Sequence, residues 1–454
     1  MSPAIASKRT RGGDRTISAR EVALQVVRDV FADHPRGARE ALDYRARAAA
    51  LSPRDRGFAT ELAYGSIKLR RWLDYQLAPY LGERAATLPK PIAEIVRLGM
   101  YQLRAMSGVE AYAAVSESVG LARRYGHKGT AGLVNAVLRK ASVEPARGVD
   151  GEGDDADALR ASLPTWLVTH WRARFSATEF AAILAGVNAP AALGVCVDLR
   201  AVTASDAFRE LQEAGVESAP SPLAADALVV DAAASTALVE ERAGGRWHLQ
   251  SESACFPVDV LDPQRGDHVF EACAGRGNKS LQLVSRIRDV GRIECVDTDA
   301  RKIAAAREHL AAARANSIEF AGRDASVPAG DADCSRVLVD APCSALGIVG
   351  RQPEARWRKD PSDPARLAPL QRGILAASAA RVAPGGTLVY SVCSTDPREG
   401  ENVVEALLHE RSDFARAPVA ERYAALRTPA GDILVPPGVQ GRDGFYIARL
   451  ARRS

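Results

Sequence analysis

Two short segments of this chain carry the residues best suited to chemistry: Asp340-Ala341-Pro342-Cys343-Ser344 and Tyr390-Ser391-Val392-Cys393-Ser394. Each follows an apolar run of strand character, residues 336–339 and 386–389. In an open parallel sheet both thiols would emerge at the carboxyl edge, where ligands bind. Upstream, Glu271-Ala272-Cys273-Ala274-Gly275-Arg276-Gly277-Asn278-Lys279 reads as a glycine loop between a strand and a helix. A nucleotide-type loop feeding an edge that carries two thiols points to covalent chemistry on a substrate beside a bound cofactor.

The chemistry that suits two thiols is addition to a pyrimidine. Carbon-5 of cytosine or uracil is a poor nucleophile, and adding a thiolate to carbon-6 makes it enamine-like and able to attack an electrophilic methyl. Cysteine is strongly nucleophilic and can leave again once a base has taken the proton from carbon-5. A free thiol with a pKa near ~8.5 needs local help to ionise, which loop amides, Lys279 or a helix N-terminus could supply. Asp340, three residues before Cys343, could hydrogen-bond the pyrimidine edge. Cys273 and Cys295 read differently, as small hydrophobes buried within strands.

The glycine loop lacks both the GxGxxG spacing and the Walker frame. Its weight comes from Asp297, which closes the next strand 20 residues beyond Gly277 and can accept from ribose hydroxyls. Asp299 suits the cap of the following helix. Asp324, after the third strand, could accept from an adenine amino group. The basic, proline-broken stretch 350–359, with Arg351, Arg356, Arg358 and Trp357, reads as a clamp on single-stranded RNA. The histidines are few and unpaired, so no metal is expected.

Elements must position these residues. From residue 269 strands and helices alternate, with strands at 268–272, 292–296, 317–321, 336–340, 386–392 and 445–450 and helices at 279–287, 299–314, 364–383 and 399–411. That pattern predicts a doubly wound α/β domain with a mainly parallel sheet. Residues 17–145 show helical spacing throughout. A capping-box spacing at Ser18 and Glu21 opens one helix, Ser52-Pro53 opens another that breaks once, and further helices run over 92–106, 113–125 and 131–141. Residues 148–157 are glycine- and acid-rich, a linker. Beyond it lie a helical stretch at 163–188, strands at 193–199 and 227–231 and a helix at 204–214, a small α+β module.

The chain has 454 residues, 47% of them hydrophobic and 26% charged, which fits several soluble domains and no membrane span. The basic N-terminus has no apolar region after it and is not a secretory signal. Seven scattered cysteines without a CxxC pair indicate neither a zinc knuckle nor a disulfide framework, and suit a cytoplasmic location. Residues 1–141 hold 24 Lys and Arg against 13 Asp and Glu, and the remainder 36 against 43. A basic front joined to a mildly acidic back suggests a polyanion-binding module on a catalytic one.

Taken together, these segments resemble the bacterial RsmB/Sun family of ribosomal RNA cytosine-carbon-5 methyltransferases over nearly the whole chain. The resemblance implies a disordered basic arm at 1–16, an all-α NusB-like RNA-binding domain at 17–145, a linker and small α+β module at 146–245 and a Rossmann-like class I methyltransferase domain at 246–454. The NusB-like likeness rests on Arg54-Asp55-Arg56-Gly57-Phe58, Glu61-Leu62-Ala63-Tyr64-Gly65, Arg97-Leu98-Gly99-Met100-Tyr101-Gln102 and Asn135-Ala136-Val137-Leu138-Arg139. The C-terminal half resembles the wider RNA 5-methylcytosine methyltransferase superfamily, which implies S-adenosylmethionine held by Cys273, Ala274, Gly275, Arg276, Gly277, Asn278, Lys279, Asp297, Asp324 and Asp340. Cys393 falls on the nucleophile, Cys343 on the cysteine that assists release, and Asp340 on the residue that orients the base. Glu401-Asn402 and Asp443-Gly444-Phe445-Tyr446 also match. The loop departs from the usual Ala-Ala-Pro-Gly-Gly-Lys-Thr in placing Arg276 at the proline, and Val392 replaces the threonine before the nucleophile. The expected partner is 16S ribosomal RNA and the expected form a monomer, with neither membrane nor DNA involved. Rivals are the same reaction on another RNA such as tRNA, a non-catalytic RNA-binding factor with a vestigial catalytic half, a nicotinamide-dependent oxidoreductase, and a DNA cytosine methyltransferase, whose nucleophile would lie in the proline-cysteine segment.

Overall fold

The computed structural model describes residues 17–231 and 236–454, so the arm expected over residues 1–16 lies outside the described residues. The chain forms two compact units that divide between Gly151 and Glu152. No helix among the described residues is long and apolar enough to cross a membrane.

The first unit is helical: α1 (Ala19–Val30), α2 (Ala38–Ala48), α3 (Pro53–Lys68), α4 (Arg70–Leu81), α5 (Lys90–Arg104), α6 (Ala111–Tyr125) and α7 (Lys128–Val143). Helix α2 has no counterpart among the helices expected from spacing. The Ser18 hydroxyl accepts from the Glu21 N–H at 3.3 Å, but the Glu21 carboxylate does not complete the expected capping box. It turns across the bundle instead, accepting from Tyr125 Oη at 2.9 Å and pairing with Arg124. The break expected after Ser52-Pro53 falls at Leu69, between α3 and α4. A Cβ on Gly65 would fall within 1.9 Å of the Tyr101 ring, so only glycine lets that ring lie against α3. The Tyr101 hydroxyl in turn donates to Glu61, and Arg97 spans Asp74 and Glu94. Several residues that carry the NusB-like likeness are therefore helix–helix contacts.

The second unit begins with α8 (Asp154–Arg160), α9 (Thr165–Arg174) and α10 (Ala177–Gly186). Helix α8 corrects the linker expected over 148–157: Asp154, Asp155 and Asp157 lie in its first turn, where carboxylates meet the free N–H groups, and Thr165, Thr169 and Arg172 of α9 bond to them. Next come β1 (Leu193–Val197), α11 (Ala204–Glu213), β2 (Ser218–Pro220), β3 (Ala227–Val230), α12 (Thr236–Ala243) and β4 (Trp247–Leu249). Their strands form an antiparallel sheet of order β2-β3-β1-β4.

Helix α13 (Glu252–Leu261) leads into the larger sheet, built from β5 (His268–Ala272), α14 (Asn278–Ile287), β6 (Arg292–Asp297), α15 (Ala300–Ala312), β7 (Ile318–Gly322), β8 (Cys334–Asp340), α16 (Ala355–Arg358), α17 (Asp363–Ala379), β9 (Val382–Val392), α18 (Glu401–Glu410), β10 (Phe414–Arg416), β11 (Ile433–Val435) and β12 (Phe445–Arg452). Its order is β10-β12-β9-β8-β5-β6-β7, with β11 also on β12. Strands β5 to β9 pair in parallel and β12 runs antiparallel to β9. Both faces are buried, as parallel strands require. Along β8, Leu338 enters one core while Val337 and Val339 enter the other. The order reverses between β5 and β8, the switch point at which such sheets bind ligands.

A buried ionic network fixes α14 and hence the glycine loop before it. Arg286 bonds to Asp226 at 2.6 Å and to Asp259 at 2.6 Å. Asp259 also accepts from Arg422 and from the Tyr423 hydroxyl. Both aspartates are almost wholly buried. Removing their shared cation leaves Asp226 buried without a charge partner, at a cost of about 3–5 kcal/mol. Arg286→Met should therefore move the urea transition of the second unit, followed by tryptophan fluorescence, to clearly lower denaturant. An unchanged midpoint would show the network to be dispensable.

Candidate active site

Parallel pairing of β8 with β9 sets Asp340 against Ser391, and the ladder continues one step further as Ala341 N–H donates to Ser391 O at 3.0 Å. Cys343 lies three residues past Asp340 and Cys393 two past Ser391, so the register alone brings both thiols to one edge. Their sulfurs are 3.2 Å apart, both cysteines are free and partly buried, and Gly347 N–H donates to Cys393 O at 3.0 Å.

The loops that carry them are joined by a buried carboxylate. Glu399 accepts from Ser344 N–H at 2.8 Å, from the Ser344 hydroxyl, and from Gln371 at 3.1 Å. Gln371 also donates to Pro342 O at 2.9 Å, and Tyr390 Oη to Glu399 O at 2.6 Å. Ser344 and Ser394, one after each cysteine, meet at 3.3 Å. Sequence reasoning missed Glu399, Gln371 and both serines as parts of the site. The signal was the Cys-Ser dipeptide repeated after each strand.

Lys279, in the first turn of α14, places its Nζ 2.6 Å from Asp340 Oδ2, while Ser391 Oγ donates to Oδ1 at 2.8 Å. Burial alone would lower the affinity of Lys279 for its proton. The Asp340 ion pair outweighs it, aided by Cys393 and Glu271, and holds Lys279 above its ordinary value. An ammonium held this firmly favours negative charge on a neighbouring sulfur. Cys343 is pushed well up, first by its hydrogen bond to Cys393, then by burial and by the charges of Cys393 and Glu399, so Cys343 keeps its proton. Beneath Lys279, Glu271 is fully buried. Burial pushes its carboxyl up to about 7, against donation from Ser280 and Cys295.

The glycine loop turns through Cys273, Gly275 and Gly277, with φ of 59°, 60° and 82°. This corrects the expectation that Cys273 is a buried strand residue: it follows β5, is partly exposed, and adopts a left-handed conformation. Cys295 is wholly buried in β6 as expected. A Cβ at Gly277 would sit 3.2 Å from Ala306 Cβ, whereas one at Gly275 would meet nothing nearer than 3.9 Å. The first bend is open and the second packs on α15. Arg276, Asn278 and part of Ala274 face outward, which is why an arginine fits in this turn.

Asp297 ends β6, nearly buried, with Oδ2 accepting from Gly275 N–H at 2.9 Å and Oδ1 from Asp299 N–H at 2.8 Å. It both holds the loop and keeps lone pairs for another donor. Asp299 caps α15 through the N–H groups of Arg301 and Lys302. Asp324 is exposed and accepts from Ser326. The Cys273 thiol is raised to about 12 by burial and by the negative charges of Asp297, Asp340 and Asp324, so the three acidic groups converge on one loop.

The expected RNA clamp at 350–359 is corrected. Arg356 is fully buried and donates to Asn188 Oδ1 at 2.8 Å and Val349 O at 2.9 Å, while Arg351 pairs with Asp443 at 3.0 Å. The segment ties the Cys343 loop to the core formed by α8, α9 and α10. A grouping that spacing did not suggest, His268, Asp333 and Cys334, lies at the opposite edge of the sheet. There Arg381 bonds to both Asp333 and Cys334 at 3.5 Å, a cation where a metal ion would have to sit.

Comparison with known proteins follows the same division of the chain. Residues 17–142 match the NusB family, residues 163–237 the ferredoxin-like domain of RsmF/B-like methyltransferases, and residues 258–451 the 16S rRNA methyltransferase RsmB/F family. The chain is 33% identical to the ribosomal RNA small subunit methyltransferase B of Thermus thermophilus, over 96% of this chain and 98% of that protein. It is 30% identical to the probable ribosomal RNA small subunit methyltransferase B of Bacillus subtilis, over 89% and 92%. The crystal structure of PH0851 shares the fold with a TM-score of 0.79 at 20% identity, covering 95% of this chain and 98% of that one. A methyltransferase homolog protein from Pyrococcus horikoshii shares it with a TM-score of 0.54 at 21% identity, covering 65% and 97%. With its front, middle and catalytic parts all matched in order, the chain belongs to the ribosomal RNA small subunit methyltransferase B family.

Proposed function

We propose that this protein transfers a methyl group from S-adenosylmethionine to carbon-5 of a cytidine in 16S ribosomal RNA, with Cys393 as covalent nucleophile. The observation that carries the reading is the pair of sulfurs 3.2 Å apart beside the Lys279–Asp340 ion pair, at the carboxyl edge of adjacent parallel strands.

The residues present fit the cofactor. The bend at Gly275 is open, and Asp297 keeps acceptor capacity suited to ribose hydroxyls. Asp297 and Asp324 bring negative charge to the loop, which favours a sulfonium. When bound, S-adenosylmethionine supplies an electrophilic methyl group.

The chain's own residues account for the other steps. Cys393, as the thiolate, adds to carbon-6 of the cytidine. Asp340 orients the base edge. Once the methyl group is on carbon-5, the proton there must leave so that the carbon–sulfur bond can break and release Cys393. Cys343, with its sulfur 3.2 Å from that of Cys393, is placed to be the base. Two of the influences that hold its proton, the hydrogen bond to Cys393 and the negative charge there, vanish once Cys393 is a thioether. Cys343 then gives its proton up to solvent more readily and takes the one from carbon-5 as the carbon–sulfur bond breaks, so that Cys393 leaves as the thiolate that attacked and Cys343 ends as a thiol. A cytidine in a stack cannot reach this edge, so the substrate must present it unstacked.

Cys393→Ala should abolish transfer of labelled methyl groups to ribosomal RNA; retained transfer would remove Cys393 as the nucleophile. Cys343→Ala should form the adduct but release it slowly, giving an RNA–protein band on a denaturing gel, and absence of that band under turnover would refute the release role. Asp297→Asn should weaken cofactor binding by about tenfold or more, as expected for a hydrogen bond to a charged acceptor. Unchanged affinity by calorimetry would exclude Asp297 from the ribose site.

A further inference from the structure

The first unit carries a second, unassigned site. Helices α6 and α7 pack side by side and leave a groove of about 490 Å³. On α6, Tyr112, Ser116, Val119 and Arg123 follow at steps of three or four and form one stripe; on α7, Asn135 and Arg139 form the facing one. The Tyr112 ring is 84% exposed, an unusual state for an aromatic side chain. Arg123 and Arg139 are exposed, and neither guanidinium has a carboxylate partner among the described residues.

That last point separates this groove from the other large recess of the unit. There Arg45 is bound to Asp29 at 2.8 Å and Arg70 to Glu94 at 2.9 Å, so two of its cations are already neutralised. No acidic side chain lines the α6–α7 groove. It offers an aromatic face, two unpaired guanidinium groups, an amide and a hydroxyl over a valine floor. A planar base stacks on such a face, and phosphates pair with such cations. Two unpaired cations with no acidic residue between them suit a phosphate backbone, and the exposed ring beside them suits its bases.

We infer that the α6–α7 groove binds a short single-stranded segment of RNA, with a base stacked on Tyr112 and backbone phosphates held by Arg123 and Arg139. The inference takes its ligand from the RNA substrate proposed above and adds a place where the first unit grips it.

The test uses the full chain and a fluorescent oligouridine, which has no structure of its own. Tyr112→Ala should raise Kd about tenfold at fixed salt, the loss of one stacked base. Arg123→Gln with Arg139→Gln should lower the slope of log K against log salt by roughly 1.4, about 0.7 for each phosphate contact to a single strand, while Arg123→Lys with Arg139→Lys should keep it. With ribosomal RNA at saturation, all variants should transfer methyl groups at the wild-type rate. If Kd and slope stay at wild-type values in the alanine and glutamine variants, the groove does not bind RNA, whatever the enzyme does. If the variants lose affinity while even the wild type transfers no methyl group, the groove stands and the catalytic reading falls.

Discussion

The site depends on one constraint, the parallel register that sets Asp340 of β8 against Ser391 of β9. Side chains alternate faces along a strand, so a slip of one residue would invert every position beyond it. Here the slip is forbidden from both sides. Val337, Leu338 and Val339 alternate between two buried cores, and Leu388, Val389 and Tyr390 do the same on the next strand. A one-residue shift would exchange the two sets of contacts at once. The chemistry therefore inherits its precision from apolar packing well below the edge. The residues beyond the ladder need only short loops to bring two sulfurs together.

Short loops alone do not hold two thiols in contact, and the buried polar clamp does the rest. Glu399 spends its oxygens on Ser344 and Gln371, and its carbonyl on Tyr390. These bonds tie the two cysteine loops together without placing any of these groups in the reaction. Charge is arranged on the other side of the pair. Lys279 is buried yet stays charged because Asp340 outweighs the cost of its burial. It thereby becomes a fixed cation at the edge that carries the two thiols, and its helix is fixed in turn by Arg286 between two buried aspartates.

The parts of this arrangement legible in the sequence are those that obey a short period or a local signal. Strand β8 and the end of β9 are apolar runs with β-branched residues, and Asp299 sits at a helix start, so their places follow from spacing. Cys273 did not follow, because its position just beyond the strand depends on a left-handed turn that a non-glycine residue adopts only when the loop compels it. Helix α8 was hidden because its acidic first turn resembles a polar linker until the threonines and arginine of α9 are seen to bond to it. Glu399 and Gln371 could not be found from spacing at all. They lie 55 and 28 residues from Ser344 and Glu399 respectively, and only tertiary packing brings them together.

Arginine was the residue most easily misread. Arg351 and Arg356, in a basic stretch beside a tryptophan, have the composition of an RNA contact, yet the fold spends them on Asp443, Asn188 and backbone carbonyls. Arg97 and Arg70 likewise serve helix packing in the basic first unit. Composition counts charges, but only those without an internal partner are available to a polyanion. A guanidinium that already bonds to a carboxylate has neutralised its field and would have to break that pair to meet a phosphate. The excess of cations over residues 1–141 is thus not spread evenly as binding capacity. Among the described residues, Arg123 and Arg139 are two that the packing of the helices leaves facing outward, beside the exposed Tyr112 ring.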